Sequence, residues 1–284
     1  MGPSEARVTH DTAPADVVCI ASWNADLICH VPRPPRRGET LMATAFRVAP
    51  GGKGSNAAVA CARQGARVAV VARIGADDFG RMALALWARE GIDSQAVAVV
   101  GGESSGVAQI WVYEDGDNSI AVAPGAGQGL GPDQVRSAAP AIQGARVIMA
   151  SCEVPLAATL AAFRLARAAG ATTLFNPAPA QPLPDALIAL CDVLTPNESE
   201  LRALAAVDDA TPIDAAANAL LARGAGAVAV TLGTQGCALH RREGATIALP
   251  AHRVRVADTI GAGDTFTGAL AAAIARGESL ERAL

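Results

Sequence analysis

The sequence predicts an α/β protein with a mostly parallel sheet, helices on both of its faces, and a small separate sheet. Three observations predict this class. Apolar strands alternate with helical patterns from residue 147 onward, which is typical of a parallel sheet covered by helices. A glycine-rich turn leads into an alanine-rich helix near the C-terminus. Two alternating segments around a polar turn at 107–122 predict a hairpin outside the parallel sheet.

The first half of the chain has the less regular pattern. An apolar strand at its start is followed by polar residues at Asn24 and Asp26, where a strand end would expose them. The segment 40–48 is expected to join the hairpin in the small sheet. The other predicted elements of this half are strands at 17–21 and 68–74, a helix after the glycine run at 51–56, and a helix at 79–90.

The second half alternates cleanly between strands and helices. Polar residues follow its apolar strands, and ligands of parallel sheets bind beyond the carboxyl ends of strands, so a site is expected there. These polar residues are Glu153, Asn176, Asn197 and Thr231. The predicted elements are strands at 147–150, 172–175, 193–195 and 227–232, helices at 156–169, 199–206 and 215–222, two short strands within 237–249, and the final helix.

Composition narrows the classes of function. The 284 residues are 51% apolar, enough for one large domain with an appendage, and the polar residues 1–16 are expected to be a disordered tail. Neither a bilayer-spanning segment nor a signal-peptide core is evident, so the cytoplasm is the expected compartment. The six scattered cysteines lack metal-site spacing. A net charge of −4 without a basic cluster, and 3% aromatics, argue against nucleic acid and favour a small-molecule substrate.

The glycine-rich turn places a carboxylate, Asp264, at the entrance of the last helix. A helix N-terminus offers unpaired N–H groups and partial positive charge, so small residues there let an anion approach. One interpretation makes Asp264 a helix cap. The other makes it a general base beside N–H groups that hold a transferring phosphoryl group. The turn alone does not decide between them.

Lys53 is the only lysine among 23 basic side chains. It lies in the run GGKGSN at 51–56, which matches neither a Walker A loop nor a dinucleotide fingerprint. A tight turn entering a helix would explain the glycines alone. A single lysine among so many arginines suggests a specific role that the larger planar guanidinium of arginine could not fill. The alternative is that this lysine survived by chance.

Several polar side chains are suited to recognising a polyol, since carboxylates accept from hydroxyls and amides both donate and accept. Each could instead cap a helix or satisfy the core. The set consists of Asn24, Asp26, Lys53, Asn56 and Glu153.

Two further segments carry the same ambiguity. Asn197 and Glu200 stand at a predicted helix start, where they could form a simple cap or where Glu200 could approach hydrated Mg²⁺. The segment TLGTQG at 231–236 is either a plain turn or a loop whose glycines admit a nucleotide.

Together these motifs resemble the PfkB carbohydrate kinases, and within that family most closely the ribokinase group, over about residues 17–284. The resemblance implies a ribokinase-like α/β fold whose small sheet, built near 24–48 and 107–122, is a lid. The motifs that carry it are NAD at 24–26, GET at 38–40, GGKGSN at 51–56, Glu153, NPAP at 176–179, TPNESE at 195–200, TLG at 231–233 and DTIGAGD at 258–264.

The resemblance also implies roles for residues. Asp264 would be the catalytic base, and Gly261, Ala262 and Gly263 would supply N–H groups to the phosphoryl oxygens. Asp258 and the carbonyl of Ile260 would bind a monovalent cation, usually K⁺. The sugar ligands would be Asn24, Asp26, Gly52, Lys53, Asn56, Glu153 and Asp264, with Ala108 and Ile120 pressing on the sugar from the lid. The ATP site would comprise Asn197, Thr231, Gly233, Gly236 and Gly263.

The implied activity is Mg²⁺-ATP-dependent phosphorylation of the primary hydroxyl of a pentose, foremost D-ribose. A homodimer paired through the lid is expected. Family members continue beyond the position of Leu284 with a helix and loops that complete the adenine pocket and add cation ligands, and this segment is expected to be missing here. A nucleoside or other sugar kinase of the same family, and a non-catalytic sugar-binding protein, are the alternatives.

Overall fold

The computed structural model describes residues 14–256 and 259–284. Within these residues the chain forms thirteen strands and ten α-helices. The strands are β1 (Val17–Ile20), β2 (Asn24–His30), β3 (Ala45–Gly51), β4 (Val68–Gly75), β5 (Asp93–Val100), β6 (Gly106–Val112), β7 (Asn118–Ala123), β8 (Val147–Ser151), β9 (Thr172–Asn176), β10 (Val193–Leu194), β11 (Ala227–Thr231), β12 (Cys237–Arg241) and β13 (Ile247–Leu249). The helices are α1 (Lys53–Arg63), α2 (Asp78–Arg89), α3 (Pro132–Ser137), α4 (Ala139–Gly144), α5 (Leu156–Ala168), α6 (Asp185–Ile188), α7 (Glu198–Ala205), α8 (Ile213–Ala222), α9 (Ala262–Ala275) and α10 (Leu280–Ala283).

The large sheet has nine strands in the order β13-β12-β11-β10-β9-β8-β1-β4-β5. Its strands run parallel except for β12 and β13, which pair antiparallel at one edge. The central strands β1 and β8 are buried along their whole length, as expected for apolar strands covered on both faces. The predicted α/β class, with a mostly parallel sheet, is confirmed.

Helices cover both faces of the large sheet. One face packs on α1, α2 and α9 around Trp87, and the other packs on α3 to α8 around Phe163 and Phe175. Close contact between α1 and α9 depends on Gly268, where an added Cβ would lie 2.2 Å from the carbonyl oxygen of Ala57. This packing brings the N-termini of α1 and α9 to the same end of the sheet.

The small sheet has the order β3-β2-β6-β7. Strand β2 pairs parallel with β6, and the two outer pairs are antiparallel. The predicted hairpin is present as β6 and β7. Strand β3 begins and ends later than the predicted 40–48, because the pairing of Asn24 with Gly51 fixes its register and Arg33 and Glu39 form an ion pair in the preceding loop.

Several elements were not predicted from the sequence, namely the edge strand β5 and the short helices α3, α4, α6 and α10. Residues 1–13 of the predicted tail lie outside the described residues. Asp16, at the end of that tail, forms an ion pair with Arg67. No helix in the described part of the chain is both long and apolar enough to cross a membrane.

Candidate active site

The predicted sugar residues meet where the chain leaves β1 and enters α1. The loop before α1 lies directly on the end of β1, and Gly52 adopts a φ of +89° there. A Cβ at Gly52 would lie 2.8 Å from both the carbonyl oxygen of Ser22 and the Cα of Trp23, so only glycine fits without displacement. This contact places Lys53 at the carboxyl edge of the large sheet.

Glu153 ties this loop to the region after β8. One of its oxygens, Oε2, accepts hydrogen bonds from the Ser22 hydroxyl at 2.7 Å and from the backbone N–H of Lys53 at 2.8 Å. The Ser22 hydroxyl in turn accepts from the Gly54 N–H at 3.0 Å. Three segments far apart in sequence are therefore held by one carboxylate. Sequence reasoning missed Ser22, although a serine directly after a wholly apolar strand and two residues before Asn24 was an available signal.

Asp264 lies in the first turn of α9 and is 4% exposed. Its Oδ2 accepts from the Asn56 amide at 2.9 Å, and its Oδ1 lies 4.0 Å from the Lys53 ammonium. The N-cap of α9 is Gly261, and no side chain caps the helix, so Asp264 does not serve as its cap. Burial raises the pKa of Asp264, while Lys53 and Asn56 act in the opposite direction. The result is a buried carboxylate of raised basicity.

Asp26 and Asn24 lie on β2, on one face of the small sheet. Burial, reinforced by the nearby Glu153 carboxylate, raises the pKa of Asp26 to about 6, and Arg47 partly offsets this. Asp26 pairs with Ala108, which is buried, so the two side chains lie on the same face.

Ile120 lies on that face as well, because it pairs with Ile110, two residues along β6 from Ala108. Its side chain is 55% exposed. The face that carries the predicted sugar carboxylate therefore also carries both predicted apolar covering residues.

Two open cavities are lined in part by the predicted sugar residues. One, of about 440 Å³, is lined by residues that include Asp26, Asn56 and Gly261. The other, of about 320 Å³, is lined by residues that include Asn24 and Glu153. Each cavity offers space for a small ligand, the first beside Asp26 and the turn at Gly261, and the second beside Asn24 and Glu153.

The predicted nucleotide residues lie at the ends of β10 and β11. Asn197 caps α7 by accepting from the Glu200 N–H at 2.8 Å, and Oε2 of Glu200 accepts from the Asn197 N–H at 2.9 Å. Asn197 and Thr231 form an isolated parallel bridge. Gly233 lies in a short 3₁₀ turn that Gly236 ends, both with positive φ. These residues form exposed turns and caps.

The predicted cation residues are described only in part. Asp258 lies outside the described residues, whereas Ile260 is described just before α9. The described ranges contain no group of three or more His, Cys, Asp or Glu residues able to hold a metal ion. Oε2 of Glu200 is engaged in the cap, and no hydrogen bond to its other carboxylate oxygen is found among the described residues. A carboxylate oxygen of that kind suits hydrated Mg²⁺.

Comparison with known proteins gives a consistent result. The family model described as "pfkB family carbohydrate kinase" matches residues 14–284. The chain is 37% identical over 267 residues to a ribokinase of Haemophilus influenzae, covering 93% of this chain and 87% of that protein. It is also 37% identical over 259 residues to a deoxyribokinase of Salmonella typhimurium, covering 90% and 84%. The structure of an Arabidopsis thaliana ribokinase complexed with ribose and ATP superposes with a TM-score of 0.88 at 30% identity, covering 96% and 89%.

Proposed function

Because the chain belongs to the pfkB family of carbohydrate kinases, we propose that it transfers the γ-phosphoryl group of ATP to the primary hydroxyl of D-ribose, giving D-ribose 5-phosphate. Relatives named ribokinase support the substrate. The observation that carries the chemistry is the buried Asp264 carboxylate in the first turn of α9, in contact with Asn56 and facing Lys53.

In the proposed mechanism, Asp264 accepts the proton of the attacking hydroxyl. An aspartate near its reference pKa of about 3.9 is a weak base toward an alcohol, so burial that raises this pKa improves its match to the task. The proton moves late, once bond formation to phosphorus has acidified the hydroxyl. The N–H groups of residues 261–264 stabilise charge on the phosphoryl oxygens, and the Ala262 N–H would leave its 3.2 Å hydrogen bond to the Thr259 carbonyl to do so.

The proposed sugar site uses residues that the fold already holds in place. Carboxylates accept from the sugar hydroxyls, and amides and the ammonium donate to them. Closure of the small sheet over the sugar would exclude water that could take the phosphoryl group. The assigned ligands are Asn24, Asp26, Gly52, Lys53, Asn56 and Glu153, with Ala108 and Ile120 as the covering residues.

The proposed nucleotide site lies on the other side of α9. Glycines at positive φ in the turn after β11 leave room for a nucleotide to approach the backbone. The assigned ATP residues are Asn197, Thr231, Gly233, Gly236 and Gly263. Glu200 would hold Mg²⁺ through water, and the metal would neutralise charge on the phosphates when bound. Asp258 and the Ile260 carbonyl would bind K⁺.

A substrate panel tests this function. Coupled ADP release is measured with ribose, deoxyribose, fructose, adenosine and fructose 6-phosphate, with and without K⁺. We expect ribose to give the highest kcat/KM and K⁺ to increase it. Deoxyribose is the second candidate, because relatives named deoxyribokinase match equally well. Preference for adenosine would move the chain to the nucleoside kinases, and the absence of turnover with every acceptor would favour a sugar-binding protein.

We also propose a homodimer paired through the small sheet. The face of this sheet opposite Asp26 carries the exposed apolar side chains of Phe46 and Val48, which pair in register with Cys29 and Leu27 of β2, respectively. Size-exclusion chromatography with light scattering would report a dimer, and Phe46→Asp would shift it to monomer. The cytoplasm is the proposed compartment, in keeping with six free cysteines and the use of ATP.

A further inference from the structure

Two buried threonine hydroxyls join the end of β10 to α9. Thr195 directly follows β10, and Thr267 lies in the second turn of α9. Thr195 is 4% exposed and Thr267 is 2% exposed, and their hydroxyl oxygens are 3.0 Å apart. The Thr267 hydroxyl also donates to the carbonyl oxygen of Gly263 at 2.9 Å. Neither threonine belongs to the sugar or nucleotide residues assigned above.

The direction of these hydrogen bonds follows from counting protons. A hydroxyl has one proton to donate, and the Thr267 proton goes to Gly263. The contact between the two hydroxyls must then have Thr195 as donor and Thr267 as acceptor. The other acceptor near Thr195, the Phe175 carbonyl, lies at 3.5 Å and is a poor competitor. The result is a directed chain from Thr195 through Thr267 to the Gly263 carbonyl.

This series of hydrogen bonds ends on a peptide unit of the turn at 261–264, which we call the catalytic turn. The Gly263 carbonyl and the Asp264 N–H belong to one planar peptide. Hydrogen bonds in series polarise one another, so a donor at the carbonyl oxygen makes the N–H on the same peptide a stronger donor. The N–H groups of the first helical turn point out of the helix N-terminus, toward the place assigned to the phosphoryl group.

We propose that Thr195 and Thr267 are positioning residues that orient and polarise the Gly263–Asp264 peptide for phosphoryl transfer. This inference rests on the proposed kinase function. Thr195 immediately precedes Pro196 and Asn197. The hydrogen bonds between the two threonines therefore also connect the segment that carries Asn197 to the catalytic turn. Thr267 and Lys53 also line one small cavity together, so the threonine lies close to the residues assigned to the sugar.

The chain offers a matched control in Thr159 on α5. Its hydroxyl is buried like that of Thr267, but it has no hydrogen-bond partner among the described residues. Thr→Val keeps the shape and removes the hydroxyl in both cases. Thr159→Val should therefore keep full activity and equal or greater stability, because it deletes an unsatisfied polar group.

The test compares Thr267→Val, Thr195→Val, Thr267→Ser and Thr159→Val. Deleting a direct donor to a developing oxyanion costs about 10²–10³-fold in kcat, so weakening one should cost less, about tenfold for Thr267→Val. Thr195→Val should lose about threefold by the same argument. Thr267→Ser should retain most of kcat because it keeps the hydroxyl. Dissociation constants for ribose and ADP should stay within about twofold, since neither threonine is among the residues assigned to bind these ligands.

A transition-state mimic separates positioning from a merely structural role. Binding of ADP with aluminium fluoride and ribose should weaken in Thr267→Val by the same factor as kcat, while ADP alone binds as in the wild type. Equal kcat for Thr267→Val and Thr159→Val, in a wild type that phosphorylates ribose, overturns this inference alone. A wild type without any phosphotransfer overturns the proposed function and this inference with it. If Thr267→Val does not fold, Thr195→Val decides by the same comparison.

Discussion

The sugar half and the nucleotide half of the candidate site are built in different ways. On the sugar side, Glu153 accepts hydrogen bonds from residues 100 and 131 positions away, and Asn56 contacts Asp264 across 208 positions. On the nucleotide side, Asn197 and Glu200 satisfy each other within one helical turn. The sugar half of the site is a network of buried and half-buried groups joined by tertiary packing. The nucleotide half is a set of local caps and turns. Mutations should therefore affect chemistry and stability on the sugar side, and mainly ATP affinity on the nucleotide side.

The largest effect is expected from Asp264→Asn. Loss of the base should lower kcat by at least about 10²-fold, while ribose still binds. Because burial raises the pKa of Asp264 in the folded protein, the protonated carboxyl favours folding and the ionised carboxylate opposes it. The stability that the protonated form contributes is lost as pH rises through the raised pKa. The melting temperature of Asp264→Asn at pH 7 should accordingly rise. Near-normal turnover in this variant would reject Asp264 as the base.

Glu153→Ala tests the interlocked character of the sugar half. It leaves the Ser22 hydroxyl and the Lys53 N–H without their acceptor, which should cost about 2–4 kcal/mol in the free energy of unfolding and raise the KM for ribose at least about tenfold. Glu153→Gln keeps a neutral acceptor and should lose less stability. Urea unfolding and ribose kinetics measure both. An alanine variant as stable as the wild type would mean that the network is not what holds these segments.

Lys53→Arg conserves the charge but replaces a compact ammonium with a larger planar guanidinium at the first residue of α1. We expect kcat/KM for ribose to fall about tenfold, because a planar guanidinium would not reproduce the position of the ammonium 4.0 Å from Oδ1 of Asp264. Arg167→Lys, a surface exchange on α5, serves as the control and should leave the kinetics unchanged. Unaltered ribose kinetics in Lys53→Arg would mean that the chain's single lysine is an accident.

The raised pKa of Asp26 predicts a pH dependence confined to the sugar half. Above about pH 6 the carboxylate accepts from sugar hydroxyls, and below it protonation removes that acceptor. The dissociation constant for ribose should rise several-fold as pH falls from 7 to 5. Trp23, beside Asn24 and edge-on to Trp87 at 5.9 Å, offers a fluorescence signal for this titration. Asp26→Asn should bind ribose weakly at every pH, and a wild-type profile in that variant would contradict the assignment.

The smallest effect is expected on the nucleotide side. Asn197→Ala removes the cap of α7 and should cost about 1 kcal/mol of stability. It should raise the KM for ATP and leave the KM for ribose unchanged. Asn197→Ser keeps a capping hydroxyl and should restore stability but not ATP affinity. A larger effect on ribose than on ATP would break the division between the two halves.

The same contrast explains what the sequence could predict. Local patterns identified the strand and helix alternation, the glycine entrance to α9 and the Asn197 cap, because each depends on neighbouring residues. The edge strand β5 was missed because its first three residues are polar and the following run of alanine and valine has no alternation of polar and apolar residues, so that only pairing with β4 defines it. Ser22 and the Thr195–Thr267 pair were missed because their roles depend on hydrogen bonds to residues 131 and 72 positions away in the sequence.

The resemblance named the sugar residues as a set, and the fold supplied the physical links between them. Asp264 was ambiguous between a cap and a base, and only tertiary structure showed Gly261 as the cap and Asn56 as the partner of the carboxylate. Periodicity and propensity cannot give such information, because the relevant distance is set by the packing of α1 against α9.

The position of the transferred phosphate tests the central claim most directly. After incubation with ribose and Mg²⁺-ATP, the new phosphomonoester is examined by proton-coupled ³¹P NMR, with Asp264→Asn as the blank. Transfer to the primary hydroxyl predicts a phosphorus resonance split by the two protons of the C5 methylene, absent in the variant. A resonance split by a single proton, from a secondary or anomeric hydroxyl, or an equal signal from Asp264→Asn, would contradict it.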